Sequence, residues 1–177
     1  MKALIIIDML NDFVTGSLKC DRAQRIIPNI KKLIEGFHKH KLLVIFANDS
    51  HLPTDFEMGK WGAHAIEGTE GAQVIPELDP QDEDITVSKH VYSSFFETPL
   101  DSILRSQKID TVVLTGLHTH LCVRHTAADA FFRGYKIIVP ENGVDSFTAE
   151  DHESGLAYLK EYYGAIITDA KAILKDL

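Results

Sequence analysis

The stretch that decides the fold is TVVLTGLHTHLCVRHTAADA, residues 111–130. It opens with the apolar run 112–114, which predicts a buried strand, and Gly116 interrupts that run. A helical pattern follows within a few residues and carries Cys122 in its first turn. A thiol at a helix N-terminus feels the positive end of the helix dipole, which favours the thiolate. The pattern therefore predicts a nucleophile at the passage from strand to helix, where open α/β sheets bind their ligands.

Composition and charge limit the kinds of protein that this chain can be. Its 177 residues are 45% hydrophobic, which suits one domain spanning residues 1–177. The net charge is −8 and there is no basic run, which argues against binding to nucleic acid or to an anionic membrane. No apolar stretch is long enough to cross a bilayer and no signal-peptide pattern opens the chain, so we expect a cytoplasmic protein. The two cysteines, Cys20 and Cys122, indicate no disulfide framework.

Strand-like and helix-like segments alternate along the chain. The predicted strands are residues 3–7, 42–47, 84–88, 110–114, 135–139 and 165–168, and the predicted helices are residues 23–39, 99–106, 120–133, 149–162 and 170–176. This alternation indicates βαβ units, and the near-continuous apolar strands indicate burial on both faces. We therefore predict an α/β fold with three αβα layers and a six-stranded, mostly parallel sheet in a Rossmann-like order. Residues 48–83 form a long irregular stretch, and such loops in compact domains are commonly functional.

Three chemically useful side chains follow three of the predicted strands. Asp8 follows the first strand, Lys89 the third and Cys122 the fourth. Taken singly, they also fit a helix cap, a surface lysine and a small buried side chain. Taken together they predict a site, because parallel strands deliver the residues that follow them to one carboxyl edge. There a carboxylate accepts the thiol proton and an ammonium stabilises the anions, which suits amide hydrolysis through a thioester.

A second group of polar residues follows the second predicted strand. Asp49 and His51 are two residues apart in an extended segment, so both side chains face one side, and His64 follows in the motif WGAH. One carboxylate and two imidazoles suit zinc, or iron or manganese, with water in the open positions. The alternative is that these histidines are exposed in a polar loop. We predict a divalent metal cofactor, with zinc favoured.

These residues and motifs resemble those of the isochorismatase-like cysteine hydrolases over essentially the whole chain. The matching segments are ALIIIDMLNDF (3–13), NDSH (48–51), WGAH (61–64), SK (88–89), YSSF (92–95) and GLHTHLCVRHTAADA (116–130). The resemblance implies a catalytic triad of Asp8, Lys89 and Cys122. It also implies a cis peptide bond just before His118, and an oxyanion hole formed by the backbone amides of His118 and Cys122.

Within this family the chain is most similar to the nicotinamidases and the N-carbamoylsarcosine amidase-like enzymes. In nicotinamidases the metal holds the pyridine nitrogen of the substrate, and the resemblance implies the same role for the metal predicted above. It also suggests Phe13 and Trp61 as walls of the substrate pocket, with Tyr92 beside them. The first hypothesis is therefore a nicotinamidase, which converts nicotinamide to nicotinate and ammonia.

Two alternatives stay open. One is an amidase for N-carbamoyl or ureido compounds with the same triad, which the motif KHVYSSF at residues 89–95 favours. The other is a non-catalytic small-molecule binder on the same fold. His118 stands where the family more often has a small residue or Thr, and His120 where it more often has Asn, Asp or Glu. These two imidazoles beside Cys122 bear on the choice of substrate.

The predicted partners are a small-molecule amide and further copies of this chain. Two Phe-Phe pairs, residues 95–96 and 131–132, either pack in the core or supply an interface between copies. Core packing is the favoured interpretation of these pairs, because large aromatic residues are usually buried. A homo-oligomer is nevertheless the expected assembly.

Overall fold

Seven parallel strands form one sheet in the computed structural model, which describes all 177 residues. The strand order is β3-β2-β1-β4-β5-β7, with β6 paired to β4, and every pairing is parallel. This confirms the predicted α/β fold and the Rossmann-like order. The sheet has seven strands rather than six, because β6 is only two residues long and too short for a sequence pattern. The strands are β1 Lys2–Ile7, β2 Leu43–Asp49, β3 Ile85–Lys89, β4 Thr111–Leu117, β5 Lys136–Pro140, β6 Val144–Asp145 and β7 Ile166–Thr168.

Helices cover both faces of this sheet. They are α1 Asn11–Val14, α2 Ile27–Lys39, α3 Met58–Trp61, α4 Leu100–Ser106, α5 Arg124–Phe132, α6 Ala149–Tyr163 and α7 Ala170–Lys175. Alternate residues of β1 enter different apolar clusters: Leu4 and Ile6 pack with α2 and α7, whereas Ile5 and Ile7 pack with α4, α5 and α6. The central strand is therefore buried on both sides, which explains why its sequence is a continuous apolar run.

The predicted helix over residues 23–39 is divided in the structure. A 3₁₀ turn, Ala23–Arg25, comes first, and α2 begins at Ile27 with Pro28 in its first turn. Proline is tolerated there because the first N–H groups of a helix have no partner within it. The irregular stretch 48–83 is mostly loop, as predicted, and contains short helical turns.

Gly116 does not end the fourth strand, contrary to the sequence prediction. β4 continues through it to Leu117, and Gly116 lies opposite Ile7 of β1. Gly116 has a φ of +100°, and a Cβ built on it would lie 2.0 Å from the carbonyl oxygen of Ile7. Glycine is needed here because it allows the positive φ and the close approach of the two strands.

The Phe-Phe pairs are largely on the surface. Phe95 is buried in the core, but Phe96, Phe131 and Phe132 are exposed to solvent. The favoured interpretation of core packing is therefore wrong for three of the four side chains. The apolar segments 95–96 and 131–132 carry no periodic pattern that separates an inward from an outward ring. Among the helices, none combines the length and the apolar character that crossing a bilayer requires.

We expect Gly116→Ala to lower the free energy of unfolding by more than about 2 kcal/mol, because it adds a backbone clash to an unfavourable φ. Gly134→Ala is the matched control, since Gly134 has a φ of +80° but no atom within 4 Å of the added Cβ, and we expect a loss of roughly 1 kcal/mol. Urea denaturation of the three proteins measures both values. Equal losses at the two positions would show that the approach to Ile7 is unimportant.

Candidate active site

The carboxyl edge of the sheet brings the three predicted catalytic residues together. β1 and β4 are neighbours at the centre, and the strand order runs outward from them in both directions. Asp8 follows β1, Lys89 is the last residue of β3, and Cys122 lies in a π-helical turn, Thr119–Val123, after β4. All three side chains are buried. Open α/β sheets bind their ligands in the crevice at such a switch point.

Lys89 lies between two buried carboxylates. Its Nζ donates to Oδ2 of Asp8 at 2.8 Å and to Oδ1 of Asp49 at 2.5 Å. The other oxygen of Asp8 accepts a hydrogen bond from the backbone N–H of Asp49 at 2.8 Å. Asp8 has a left-handed φ of 54°, a conformation that Asp tolerates better than most residues. These contacts hold the Asp8 carboxylate in one orientation at the sheet edge.

Lys89, Asp8 and Asp49 form a trio of charged groups, and the interactions among their charges determine which of them are protonated. Burial disfavours the charged form of Lys89, but Asp49 and Asp8 outweigh burial and hold the pKa of Lys89 well above its usual value. Burial also opposes ionisation of Asp49, yet Lys89 and His51 keep the pKa of Asp49 below its usual value. For Asp8, burial and the negative charge of Asp49 prevail over Lys89 and raise the pKa to about 6. Asp8 is thus the carboxylate suited to exchange a proton near neutral pH.

Cys122 is a buried thiol beside this trio. Its sulfur lies within 4.8 Å of a carboxylate oxygen of Asp8 and of one of Asp49. Burial raises the pKa of Cys122 well above its usual value; Lys89 opposes this rise and the two carboxylates add to it. The expectation of a thiolate stabilised by a helix dipole is therefore wrong for the resting protein. A thiol in this state becomes a nucleophile only after it loses its proton, and the Asp8 carboxylate is the nearby group with a pKa near neutrality.

The turn between β4 and α5 contains the predicted oxyanion hole. The peptide bond between Leu117 and His118 is cis, as the family resemblance implies. The carbonyl of His118 accepts hydrogen bonds from the N–H groups of Leu121 and Val123 at 3.0 and 3.2 Å, which closes the turn. The helix predicted to begin at residue 120 is α-helical only from Arg124, since the first turn is π-helical. The backbone amides of both predicted donors belong to this one closed turn.

Asp49, His51 and His64 converge beside the trio. One ligand atom from each lies within 4.8 Å of the other two, and all three side chains are buried. Nε2 of His51 has no hydrogen-bond partner. Nδ1 of His64 lies 2.8 Å from the carbonyl oxygen of Gly62, which leaves Nε2 available to a ligand. These histidines are not exposed loop residues, and the buried, unpartnered nitrogen together with the mixed donor set fits a divalent metal.

Asp55 contacts one of the three candidate metal ligands, Asp49, His51 and His64 (the metal set), and is absent from the sequence predictions. Its Oδ2 lies 3.1 Å from Nδ1 of His51 and 2.9 Å from Nδ1 of His90, and it accepts a hydrogen bond from the N–H of Leu52 at 3.0 Å. A carboxylate on the far nitrogen of a metal-binding histidine fixes the tautomer and the ring orientation. The sequence feature that could have indicated this contact is that Asp55 stands four residues after His51.

A small cavity opens onto these groups. Its walls include Phe13, Trp61 and Tyr92, the three predicted pocket residues, and the Trp61 indole donates to the Tyr92 hydroxyl at 2.9 Å. The free space is about 20 Å³, room for little more than one water molecule, so the walls must move to admit an amide. The other lining residues are Leu18, Asp49, Glu57, His64, His118, Leu121, Cys122 and Phe147.

Glu57 and Phe147 line this cavity although no sequence pattern indicates them. Burial and the negative charge of Asp49 raise the pKa of Glu57 to about 7, so one more titratable carboxyl group faces the cavity. Phe147 comes from the segment between β6 and α6, and its ring is stacked on Trp61 with centroids 6.2 Å apart. Contacts between distant segments place both residues at the cavity wall, and local periodicity in the sequence does not indicate such contacts.

Comparison with known proteins places this architecture in a family. The Isochorismatase domain family matches residues 2–172. An N-carbamoylsarcosine amidase from Thermoplasma acidophilum is 42% identical, with 96% of each chain covered and a TM-score of 0.90. A nicotinamidase from Bacillus subtilis is 36% identical, with 95% of this chain and 99% of that chain covered and a TM-score of 0.90. A pyrazinamidase of Pyrococcus horikoshii, solved in complex with zinc, is 29% identical, with 95% and 98% covered and a TM-score of 0.89.

The family match spans nearly the whole chain, so the fold and every residue of the candidate site lie within it. The similar proteins include amidases of two kinds, and their structures match this one over at least 95% of its residues. The chain therefore belongs to the isochorismatase family and is a hydrolase that acts on amide bonds.

Proposed function

We propose that this protein is a cysteine amidohydrolase that releases ammonia from a small primary carboxamide through a thioester intermediate. The supporting observation is the meeting of Cys122, Asp8 and Lys89 at one enclosed sheet edge. The sulfur lies within 4.8 Å of an Asp8 oxygen, and that carboxylate is held 2.8 Å from the Lys89 ammonium. A nucleophile, a proton acceptor and a fixed cation are the groups that covalent amide cleavage requires.

Asp8 moves the protons in both halves of the proposed reaction. In acylation it takes the proton of Cys122 while the sulfur bonds to the carbonyl carbon, and the carbonyl oxygen becomes an oxyanion. Collapse of this intermediate breaks the C–N bond, and Asp8 returns the proton to the leaving ammonia. In deacylation Asp8 takes a proton from water while the water oxygen attacks the carbonyl carbon of the thioester. The C–S bond then breaks, and the sulfur regains the proton from Asp8.

Lys89 balances the charge during these steps. With both Asp8 and Asp49 ionised, the trio carries one net negative charge, which disfavours a thiolate next to it. When the proton of Cys122 reaches Asp8, the trio becomes neutral and the ammonium faces the developing thiolate. The backbone amides of His118 and Cys122 are the proposed donors to the oxyanion, because both belong to the closed turn around the nucleophile.

Asp49, His51 and His64 are the proposed metal ligands, with zinc favoured over iron or manganese. When bound, the cation supplies a Lewis acid that holds a lone pair of the substrate. Asp49 belongs to both groups, since Oδ1 accepts from Lys89 while Oδ2 lies 3.6 Å from Nε2 of His51. Metal binding and the charge of the triad are therefore linked through one carboxylate.

Nicotinamide is the first candidate substrate, because its ring nitrogen offers the lone pair that the metal set is suited to hold. Phe13, Trp61 and Tyr92 would then flank a planar ring. An N-carbamoyl amide is the second candidate. It is favoured by the 42% identity to an N-carbamoylsarcosine amidase.

We expect Cys122→Ala to lower ammonia release by at least about 1,000-fold, because the nucleophile is lost. Its thermal unfolding should stay close to that of the unmodified protein, since a small buried side chain is replaced by another. Cys20→Ala is the matched control: Cys20 is also buried, but its thiol donates to the carbonyl of Ser146 and does not line the cavity. Full activity in Cys122→Ala would refute covalent catalysis by this residue.

We expect Asp55→Asn to weaken metal binding by about 10-fold to 100-fold, because the amide no longer fixes the tautomer of His51. Competition with a chromophoric chelator measures the dissociation constant without any substrate. Asp82→Asn, a change on an exposed residue, is the control and should leave the constant unaltered. An unchanged constant in Asp55→Asn would show that His51 is not held through this contact.

A panel of amides tests the substrate. Nicotinamide should be hydrolysed at least about 10-fold faster than benzamide, which has the same shape without the ring nitrogen, and chelation of the metal should abolish this difference. Release of ammonia from N-carbamoylsarcosine without release from nicotinamide would favour the second candidate. Absence of ammonia from every amide, with zinc, iron or manganese supplied, would overturn the proposed function.

A further inference from the structure

The side chain of His118 is buried in the cavity wall without a partner. It is 3% exposed, and neither Nδ1 nor Nε2 has a hydrogen-bond partner. Buried polar atoms in folded proteins are nearly always satisfied, so two unsatisfied nitrogens on one side chain require a reason. Since His118 lines the cavity beside Cys122, a molecule in that cavity, either water or a ligand that displaces it, can satisfy them.

Apolar neighbours hold the His118 ring in place. Its face is stacked on Phe147, with centroids 3.9 Å apart and planes 24° apart. Phe13 meets it edge to face at 6.0 Å. These rings accept no conventional hydrogen bond from an imidazole N–H, so the packing orients His118 without satisfying it.

His118 is neutral. Burial and the neighbouring His120 lower its pKa to about 3, so the ring carries one N–H donor and one acceptor nitrogen at any physiological pH. The other histidines near the cavity each have one nitrogen engaged. Nδ1 of His51 lies 3.1 Å from Oδ2 of Asp55, and Nδ1 of His64 lies 2.8 Å from the carbonyl oxygen of Gly62. Nδ1 of His120 lies 3.0 Å from Oγ of Ser146.

We infer that His118 is a specificity-determining residue that donates a hydrogen bond to an oxygen on the acyl portion of the substrate. The preferred substrate is then a small primary amide that carries a second polar group, above all a carboxylate. A carboxylate is favoured because an anionic oxygen accepts a stronger hydrogen bond than a neutral one, and because a divalent cation held by Asp49, His51 and His64 would offset the acidic groups that face the cavity. This inference rests on the proposed function, since it concerns the same cavity.

The two candidate substrates differ in the acceptor groups that they offer to His118. Nicotinamide has no oxygen beyond its amide, and its ring nitrogen is the group proposed to bind the metal, so its ring offers no acceptor to the N–H of His118. N-carbamoyl amino acids carry a carboxylate, which offers that acceptor. A site built to hydrogen-bond one group discriminates strongly against analogues that lack it, because its own polar atoms then stay unpaired. His118 therefore favours carboxylate-bearing amides.

Matched substrate pairs test this inference. Succinamate and butyramide have similar length and differ in a terminal carboxylate or methyl group. N-carbamoylsarcosine and 1-ethyl-1-methylurea form a second pair with the same difference. For the metal-loaded protein we expect kcat/KM to favour the carboxylate member by about 10-fold to 100-fold, the size of effect for one hydrogen bond to a charged group. His118→Phe keeps an aromatic ring against Phe147 and should reduce this ratio to within about threefold, with the change carried mainly by KM.

His120→Phe is the matched control, because it makes the same substitution two residues away on a side chain that does not line the cavity. Its carboxylate-to-methyl ratio should equal that of the unmodified protein. Dissociation constants of succinamate and butyramide for Cys122→Ala, with and without His118→Phe, give a second readout that requires no turnover. In this readout too, loss of the preference through His118→Phe supports the inference.

An equal carboxylate preference in the presence and absence of the His118 imidazole would overturn the inference, whether measured by turnover or by binding. Absence of any preference in the unmodified protein would overturn it as well. Failure of the proposed function is distinguishable from both. In that case no amide releases ammonia, yet the binding constants for Cys122→Ala still report whether His118 selects the carboxylate.

Discussion

The Lys89 ammonium, buried between the carboxylates of Asp8 and Asp49, is the interaction on which the rest of the site depends. A buried cation is tolerated only when it is paired and hydrogen-bonded, and here it joins residues from the ends of three parallel strands. Removing Lys89 would leave two carboxylates facing each other without a counter-charge. The ion pair therefore holds the carboxyl edge of the sheet together and also fixes the two groups that the proposed chemistry uses.

The same trio explains the state of the nucleophile. Its two carboxylates and one ammonium leave an excess of negative charge near Cys122, and burial adds to this effect, so the thiol keeps its proton in the resting protein. In the proposed mechanism the thiol is activated by proton transfer to Asp8 rather than by a lowered pKa of its own. Asp49 extends this coupling to His51 and His64, so a cation held by these three residues would change the charge balance around Cys122 as well.

Much of this arrangement is predictable from sequence because it depends on strand ends. The apolar runs before Asp8 and Lys89 predicted two strands, and parallel strands bring their carboxyl ends to one edge. The sequence predictions were wrong or incomplete where the position of a residue depends on a contact between distant segments. Glycine commonly interrupts strands, so the sequence predicts a strand end at Gly116, whereas its positive φ and its close approach to Ile7 allow β4 to continue. Phe147, in the segment between β6 and α6, forms part of the cavity wall, and nothing in its local sequence indicates that position.

The sequence by itself determined the order of strands and helices, the family, and the chemical types assembled at the sheet edge, since these follow from local periodicity and from motifs. Only the tertiary structure decided the protonation of Asp8 and Cys122, the support of His51 by Asp55, and the unsatisfied nitrogens of His118. The physical reason is that pKa values and hydrogen-bond satisfaction depend on burial and on distances between residues far apart in the chain, and a linear pattern contains neither quantity.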